Sequence, residues 1–271
     1  MSFYSEAEPV RGAVLPVAAG ITRIVAPNPG GFTYWGTNTY LIAEGGGFMV
    51  LDPGPDSQAH LEAVLAATGG KVTRILVSHT HPDHIDGLPA MRAATGAQTF
   101  GFHASATDAF TPDVALHDND VVAGWTALHT PGHASDHLCF ARDGLVFSAD
   151  HIMGWSTSVV SPPQGNMTDY FASLRRMLAR PDTRYFPGHG PEVTEPGRYG
   201  QFLLAHRLGR EAAIARALAV APQTPGDLVL ALYVDLKPSL RPAAERSVTA
   251  HLHKLRDDGV AVERDGVWVR K

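Results

Sequence analysis

One stretch constrains this chain more than any other: Ser78-His79-Thr80-His81-Pro82-Asp83-His84-Ile85-Asp86-Gly87-Leu88. Three histidines and an aspartate fall within six positions. Ile75-Leu76-Val77 before them reads as a short buried strand, and residues 88–95 after them as a helix. The cluster therefore stands where a strand hands over to a helix, the end at which open α/β sheets place their sites. Neutral imidazole and carboxylate are ligands that Zn²⁺ accepts besides thiolate. His79 and His81 are two apart, so on an extended segment they point the same way. Pro82 pushes His81 towards that conformation. The pair can converge on one metal, while Asp83 and His84 turn into the helix start and serve a second metal beside it.

Composition narrows the alternatives. The single cysteine, Cys139, excludes a disulfide framework and a cysteine-based zinc site. Set in Leu138-Cys139-Phe140, it reads as a buried core thiol. No apolar run reaches the length that spans a bilayer. Residues 1–6 lack the basic region and apolar core of a signal peptide. The expectation is a cytoplasmic protein with no membrane partner. A net charge of −5 gives no global sign of nucleic-acid binding, but it hides an asymmetry. Residues 1–197 carry 10 Lys+Arg against 19 Asp+Glu, and residues 198–271 carry 12 against 8. The division expected is 1–197 as the main domain and 198–271 as a separate C-terminal region.

Strand patterns occur at 21–25, 38–43, 47–51, 74–78, 98–102, 125–129, 137–142, 144–148 and 184–186, with helices at 58–67 and 169–179. Residues 1–20 carry little pattern. Beyond Gly197 the character changes: a long helix over 199–220, a second helix capped by Thr224, a third over 242–255, and a hairpin around Arg264-Asp265-Gly266. Helices followed by a hairpin outline a winged helix. A module this small is marginal alone, so it is expected to pack on the main domain.

Three further candidates share one setting. His133 in Pro131-Gly132-His133, Asp150 in Ser148-Ala149-Asp150 and His189 in Gly188-His189-Gly190 each follow an apolar segment among small residues, which let the backbone turn sharply. Strand ends would gather all of them at one rim. Together with the Asp52-Pro53-Gly54 strand end, these residues and the His-x-His-x-Asp-His run resemble the metallo-β-lactamase fold superfamily over residues 20–195. The resemblance implies an α/β fold, a four-layer αββα sandwich with a dinuclear site. Carried over, His79, His81 and His133 would hold one metal, Asp83, His84 and His189 the second, and Asp150 would bridge them. The order of sandwich, long helix and winged-helix-like tail, with the stretch from Trp155 to Pro163, resembles the lactamase-β-2-like branch. That branch has members described as nucleases and many with no known substrate.

Such a site implies a chemistry. Two divalent ions about 3.5–4 Å apart hold a bridging hydroxide and polarise a carbonyl or phosphoryl oxygen. Zn²⁺ is the expected ion, with iron or manganese as alternatives. Asp83 is the expected catalytic residue, orienting the hydroxide and carrying its proton to the leaving group. Asp52 is either a partner behind a ligand histidine or a plain strand-ending turn. The aromatic loop of Phe32, Tyr34 and Trp35 and the stretch from Met153 to Met167 either overhang the site or cap the core, with Tyr34, Trp35 and Trp155 as the expected substrate contacts. His137, His151 and Asp136 sit beside ligands, in support or in purely structural roles. His251 and His253 are two apart on a helix and face different sides. His60, His103, His117, His129 and His206 have no partner by spacing. The expected function is hydrolysis of a small ester, thioester, lactone or amide. The alternative is a metal-dependent nuclease or phosphodiesterase acting on RNA or single-stranded nucleic acid through the C-terminal region, whose cations are scattered rather than clustered. An iron-based redox role is disfavoured, because no flavin-binding domain follows. No feature points to an oligomeric state.

Overall fold

The computed structural model describes residues 2–271. Seven strands form the first sheet in sequence order: β1 (Leu15–Ala18), β2 (Ile21–Val25), β3 (Asn38–Glu44), β4 (Gly47–Leu51), β5 (Val72–Leu76), β6 (Gln98–Phe102) and β7 (Val114–Leu116). The first four run antiparallel, with short turns joining β1 to β2 and β3 to β4 and a longer loop, residues 26–37, joining β2 to β3. From β4 onward the pairing is parallel. The change follows from the connections, because parallel neighbours need a crossover. Helix α1 (Gln58–Thr68) returns the chain from β4 to β5, and α2 (Pro82–Ile85) with α3 (Leu88–Thr95) returns it from β5 to β6. The second sheet holds β8 (Val121–Val122), β9 (Trp125–His129), β10 (Leu138–Arg142), β11 (Leu145–Ala149) and β12 (Arg184–Pro187), with α4 (Met167–Leu178) as the crossover before β12. Its strand order is β12-β11-β10-β9-β8.

Side-chain alternation sorts the apolar residues into layers. Tyr40, Ile42, Met49, Leu51 and Leu76 of the first sheet meet Trp125, Phe140, Phe147 and Phe186 of the second. Leu41, Val50 and Ile75 point the other way, against Val64 of α1 and Met91 of α3. Cys139, Val146 and Tyr185 face Phe171 and Leu174 of α4 and Tyr199 and Leu203 of the next helix. The result is helix, sheet, sheet, helix, the four-layer arrangement expected. Cys139 is fully buried, which pushes its thiol up to about 12.

Three short strands escape sequence patterning. β1 lies inside the weakly patterned N-terminal stretch, and β7 and β8 are too short to show a period of two. The strand expected over 74–78 runs over Val72–Leu76 instead. Val77 and Ser78 therefore lie past its end and lead directly into the histidines.

Helix α5 (Pro196–Val220) is long enough, about 37 Å at 1.5 Å per residue, to serve two cores. Tyr199 and Leu203 belong to the sandwich, whereas Ile214 and Leu218 pack with Leu228, Val248, Leu252 and Trp268. That second core unites α6 (Pro225–Leu232), α7 (Arg241–Asp257) and the hairpin β13 (Ala261–Arg264) and β14 (Val267–Arg270). Thr224 starts α6 with a capping box, its hydroxyl accepting from the Asp227 amide while Asp227 accepts from the Thr224 amide. The division expected between 197 and 198 falls within the first turn of α5.

Candidate metal centre

Four strand ends of the two sheets meet at one rim and carry the candidate ligands. His79 and His81 follow β5, with Asp83 and His84 in the first turn of α2. His133 lies between β9 and β10, Asp150 follows β11 and His189 follows β12. All seven come together. His79, His81 and His133 form one group whose donor atoms lie within 4.8 Å of one another, and Asp83, His84 and His189 form a second. Asp150 stands between them. One of its oxygens is 3.6 Å from His84 Nε2, and the other is 3.6 Å from His133 Nε2 and 3.5 Å from His189 Nε2.

Fixed acceptors behind the rings decide which nitrogen faces inward. His133 Nδ1 donates to the Val159 carbonyl at 2.6 Å, and His189 Nδ1 to the Gly36 carbonyl at 3.3 Å. His84 Nδ1 donates to Asp52 Oδ2 at 2.9 Å. The Ser78 hydroxyl donates to the same Asp52 oxygen at 2.7 Å, which leaves it to accept from His79 Nδ1 at 3.0 Å. These four rings therefore present Nε2. His81 is reversed: its Nδ1 lies 3.0 Å from His79 Nε2 and 2.8 Å from His133 Nε2.

Asp52 fills both roles that its sequence position allowed. It ends β4 with φ of +55° and anchors both ligand groups, one directly and one through Ser78. Asp136 pins the loop between His79 and His81, since its Oδ2 accepts from the Thr80 hydroxyl at 2.6 Å and the Ala106 amide at 3.0 Å. His137 positions Asp150: its Nε2 accepts the Asp150 amide at 3.2 Å while Nδ1 donates to Thr130. Gly188 leaves room for the cluster, because a Cβ there would sit 2.5 Å from Asp150 Oδ1 and 2.8 Å from His84 Cε1.

The electrostatics favour a cation. Burial, helped by His84 and His81, holds His79 well below the usual imidazole range, and burial with His133 brings His81 down to about 4. Burial also works against charge on His84 and His189. There Asp83 and Asp150, with Asp52 behind His84, win and push them up to about 9 and about 10. Both carboxylates stay ionised: burial raises each, but the neighbouring histidines outweigh it and hold each below the usual carboxylate range. His84 Nε2 and Asp150 Oδ1 are buried with no hydrogen-bond partner among the described residues. Buried polar atoms are rarely left so, and a metal ion between them would satisfy both. Histidine and carboxylate donors suit Zn²⁺, iron or manganese alike.

A cavity of about 280 Å³ opens over five of the ligands and is walled by Phe32, Met153 and Val159. Of the aromatic loop it is Phe32 that reaches this cavity. Tyr34 and Trp35, expected there, turn instead to the N-terminal segment, where the Tyr34 hydroxyl and Trp35 Nε1 both bond to the Glu6 carbonyl. Trp155 packs on Tyr34 and lines a neighbouring cavity rather than this one. A larger cavity of about 510 Å³, bordered by Glu6, Arg23, Tyr40 and Arg184, has none of the ligand residues in its walls. The expectation that the loop of Phe32, Tyr34 and Trp35 and the stretch from Met153 overhang the site holds for Phe32, Met153 and Val159. Sequence reasoning had no signal for the role of Ser78 or for the backbone acceptors, which depend on Asp52, Val159 and Gly36 far along the chain. His60, His151 and His251 are buried, and His103 stacks on His117 away from the ligands.

Comparison with known proteins agrees with this geometry. Residues 33–121 and 107–189 match the model of the metallo-beta-lactamase superfamily, and residues 224–268 match the beta-lactamase associated winged helix domain. The chain is 30% identical to the beta-lactamase-like protein 2 homolog of Drosophila melanogaster, over 91% of each chain. It is 32% identical to an atrochrysone carboxyl ACP thioesterase of Aspergillus chevalieri, over 81% of this chain and 74% of that one. A beta-lactamase domain protein from Burkholderia ambifaria superposes with a TM-score of 0.84 at 23% identity, covering 98% of this chain and 96% of the other, which is a likeness of fold. With the ligand rim, the sandwich and the C-terminal core in place, the chain belongs to the metallo-β-lactamase superfamily, as a hydrolase that carries the associated winged helix domain.

Proposed function

We propose that this protein is a dinuclear metal-dependent hydrolase of small acyl substrates, with thioesters as the first class to test. The observation that carries the reading is the pairing of two donor groups about a shared carboxylate, Asp150, beneath a small cavity. His79, His81 and His133 would hold one ion, Asp83, His84 and His189 the other, with Asp150 common to both. Divalent ions there supply Lewis acidity, polarising a carbonyl and acidifying water. The remaining work falls to the chain. Phe32, Met153 and Val159 exclude bulk water and hold an apolar acyl group. The Asp83 carboxylate, 29% exposed and facing the cavity, orients the attacking water. As the oxygen–carbon bond forms and the carbon–sulfur bond breaks, Asp83 relays the water's proton to the departing thiolate. A thioester is favoured over other acyl classes by the relative named as a thioesterase.

Metal analysis and a substrate screen test the proposal together. Close to two ions per chain are expected in the purified protein, Zn²⁺ foremost, with hydrolysis of thioesters, esters or lactones. Asp150→Ala should lose both ions and slow turnover on the order of 10³-fold, the equivalent of several kcal/mol of barrier. His133→Ala should lose mainly one ion. Metal content near zero in the native protein overturns the reading. Cleavage of single-stranded RNA with no acyl hydrolysis transfers it to the nuclease alternative.

A further inference from the structure

The C-terminal region reaches into the metal cavity. Arg246, in the second turn of α7, lines the same cavity as His81, Asp83, His133, Asp150 and His189. Two other cations of that helix are neutralised nearby, Lys254 by Glu211 and Asp258 and Arg256 by Asp257, while Arg241, unpaired among the described residues, lies outside the cavity lining. Arg246 forms no ion pair and no side-chain hydrogen bond among the described residues. The two carboxylates that share its cavity, Asp83 and Asp150, are turned to the histidines.

The neighbouring cavity, about 230 Å³, shares Phe32 and Val159 with the first. Arg207 and Arg210 of α5 line it, and no carboxylate does. Arg207 is 4% exposed, yet its guanidinium is held by neutral groups: the Ser158 carbonyl, the Ser247 hydroxyl and the face of Tyr170. Arg210 bonds the Leu232 carbonyl, with its guanidinium carbon 3.8 Å from the centre of the Tyr233 ring. Burying a cation without a counter-ion is costly, and that cost falls on Arg207; Arg210 is half-buried and Arg246 is exposed. In a chain of net charge −5, the cleft between sandwich and winged helix is walled by arginines that lack acidic partners. A guanidinium presents a planar fork that fits a carboxylate or phosphate through two parallel hydrogen bonds.

We propose that Arg246 is a specificity-determining residue that binds an anionic group, carboxylate or phosphate, carried by a small acyl substrate, with Arg207 and Arg210 extending the positive wall into the adjoining cavity. The proposal rests on the acyl-hydrolase reading for the position of the scissile carbonyl. A polynucleotide fits the cleft less well. Both cavities are small, Phe32, Met153 and Val159 are apolar, and the other cations of α7 near the chain's end are already paired.

Two matched pairs of thioesters test it. Glutaryl and valeryl N-acetylcysteamine differ by a terminal carboxylate, and valeryl-coenzyme A adds phosphates on the leaving side. At least one pair should show a preference for the anionic member of roughly ten-fold in kcat/KM, the size of one charge-assisted hydrogen bond. Which pair shows it tells an acyl-side carboxylate from a leaving-side phosphate. In Arg246→Ala that ratio should fall to near one, and Arg246→Lys should lie between. A ratio has the merit of cancelling any general loss of folded enzyme. Calorimetry reads the acyl-side arm without turnover: glutarate should bind tighter than valerate, and Arg246→Ala should abolish the difference. If no thioester is turned over but glutarate binding still depends on Arg246, the hydrolase reading fails and the anion site stands. Equal rates within both pairs, or a preference that survives Arg246→Ala, overturns the proposal. So does Arg246-dependent cleavage of single-stranded RNA with no preference in either pair.

Discussion

The metal rim and the winged helix solve opposite problems with the same polar residues. At the rim, His79, His84 and His189 are each at most 1% exposed, and the outward nitrogen of each has a dedicated acceptor. At the end of α7 the charges sit near the surface in pairs such as Lys254–Asp258 and Arg256–Asp257. Pairs of that kind contribute about 0–1 kcal/mol each, so the C-terminal region is held by its own apolar core and by the Thr224 cap. Burying histidines beside carboxylates is expensive unless every group is satisfied. The rim tolerates it because Ser78, Asp52 and two backbone carbonyls hold the outer nitrogens of His79, His84, His133 and His189, and a metal ion would satisfy the inner ones. Changes in the C-terminal core should therefore register as stability, and changes behind the rim as metal affinity.

Trp268→Ala should break that separation most severely if it is wrong. Trp268 is 2% exposed in the C-terminal core, and removing a buried tryptophan side chain costs about 3–5 kcal/mol. Amide exchange should quicken across α6, α7 and the terminal hairpin while β3 to β5 stay protected and metal content is unchanged. Loss of metal in step with the exchange would mean that the two regions behave as one cooperative unit joined through α5.

Acid should act on the sandwich through a histidine that takes no part in the metal groups. His60, buried on α1, donates through Nε2 to the Thr39 hydroxyl at 2.7 Å, which itself donates to the Asp52 carbonyl. Burial brings its pKa down to about 4. Because the folded value lies below the unfolded value of about 6.5, the neutral ring's contribution is fully present above pH 6.5. It is lost as the pH falls towards 4, to a total of about 3 kcal/mol. His60→Gln should flatten that part of the profile. The difference in urea midpoint between native protein and variant, measured from pH 7 to 4 after chelation of metal, reads it directly. A difference that does not change with pH removes His60 from the account of acid stability.

How far the sequence speaks depends on the range over which a residue acts. The run from His79 to His84 is legible because its ligands are neighbours in sequence and a strand and helix frame them. His133, Asp150 and His189 are legible because each ends a strand among glycine and alanine. Phe32 is legible only as one of three, since Tyr34 and Trp35 two and three residues on are equally aromatic. Only the hydrogen bonds of those two to Glu6 decide which ring turns to the cavity. Arg246 is hidden for a similar reason: its position in the cavity depends on how α7 docks on the sandwich, 163 residues along the chain from Asp83. The reversal of His81, presenting Nδ1 where its neighbours present Nε2, is set by ring orientation and leaves no mark in the sequence.

Asp52→Asn is the finest probe of how the rim differs from the rest of the molecule. Asp52 Oδ2 receives the His84 Nδ1–H and the Ser78 hydroxyl, and Oδ1 receives the Ser78 amide at 2.8 Å. Every group facing this carboxylate is a donor. An asparagine amide must therefore set its own NH₂ against a donor whichever way it is turned. The strand-ending turn asks less: its left-handed backbone, φ +55°, suits asparagine as well as aspartate. The variant should therefore keep its fold while metal affinity falls 10–100-fold, the usual cost of losing a partner behind a ligand histidine. Competition with a chromophoric chelator measures the fall at each step of loading. Ser78→Ala should weaken chiefly the group that contains His79, since His84 reaches Asp52 without the serine. Unchanged affinity in Asp52→Asn would leave Asp52 as a turn residue alone, and the outward nitrogens of His79 and His84 would then be fixed by packing rather than by charge.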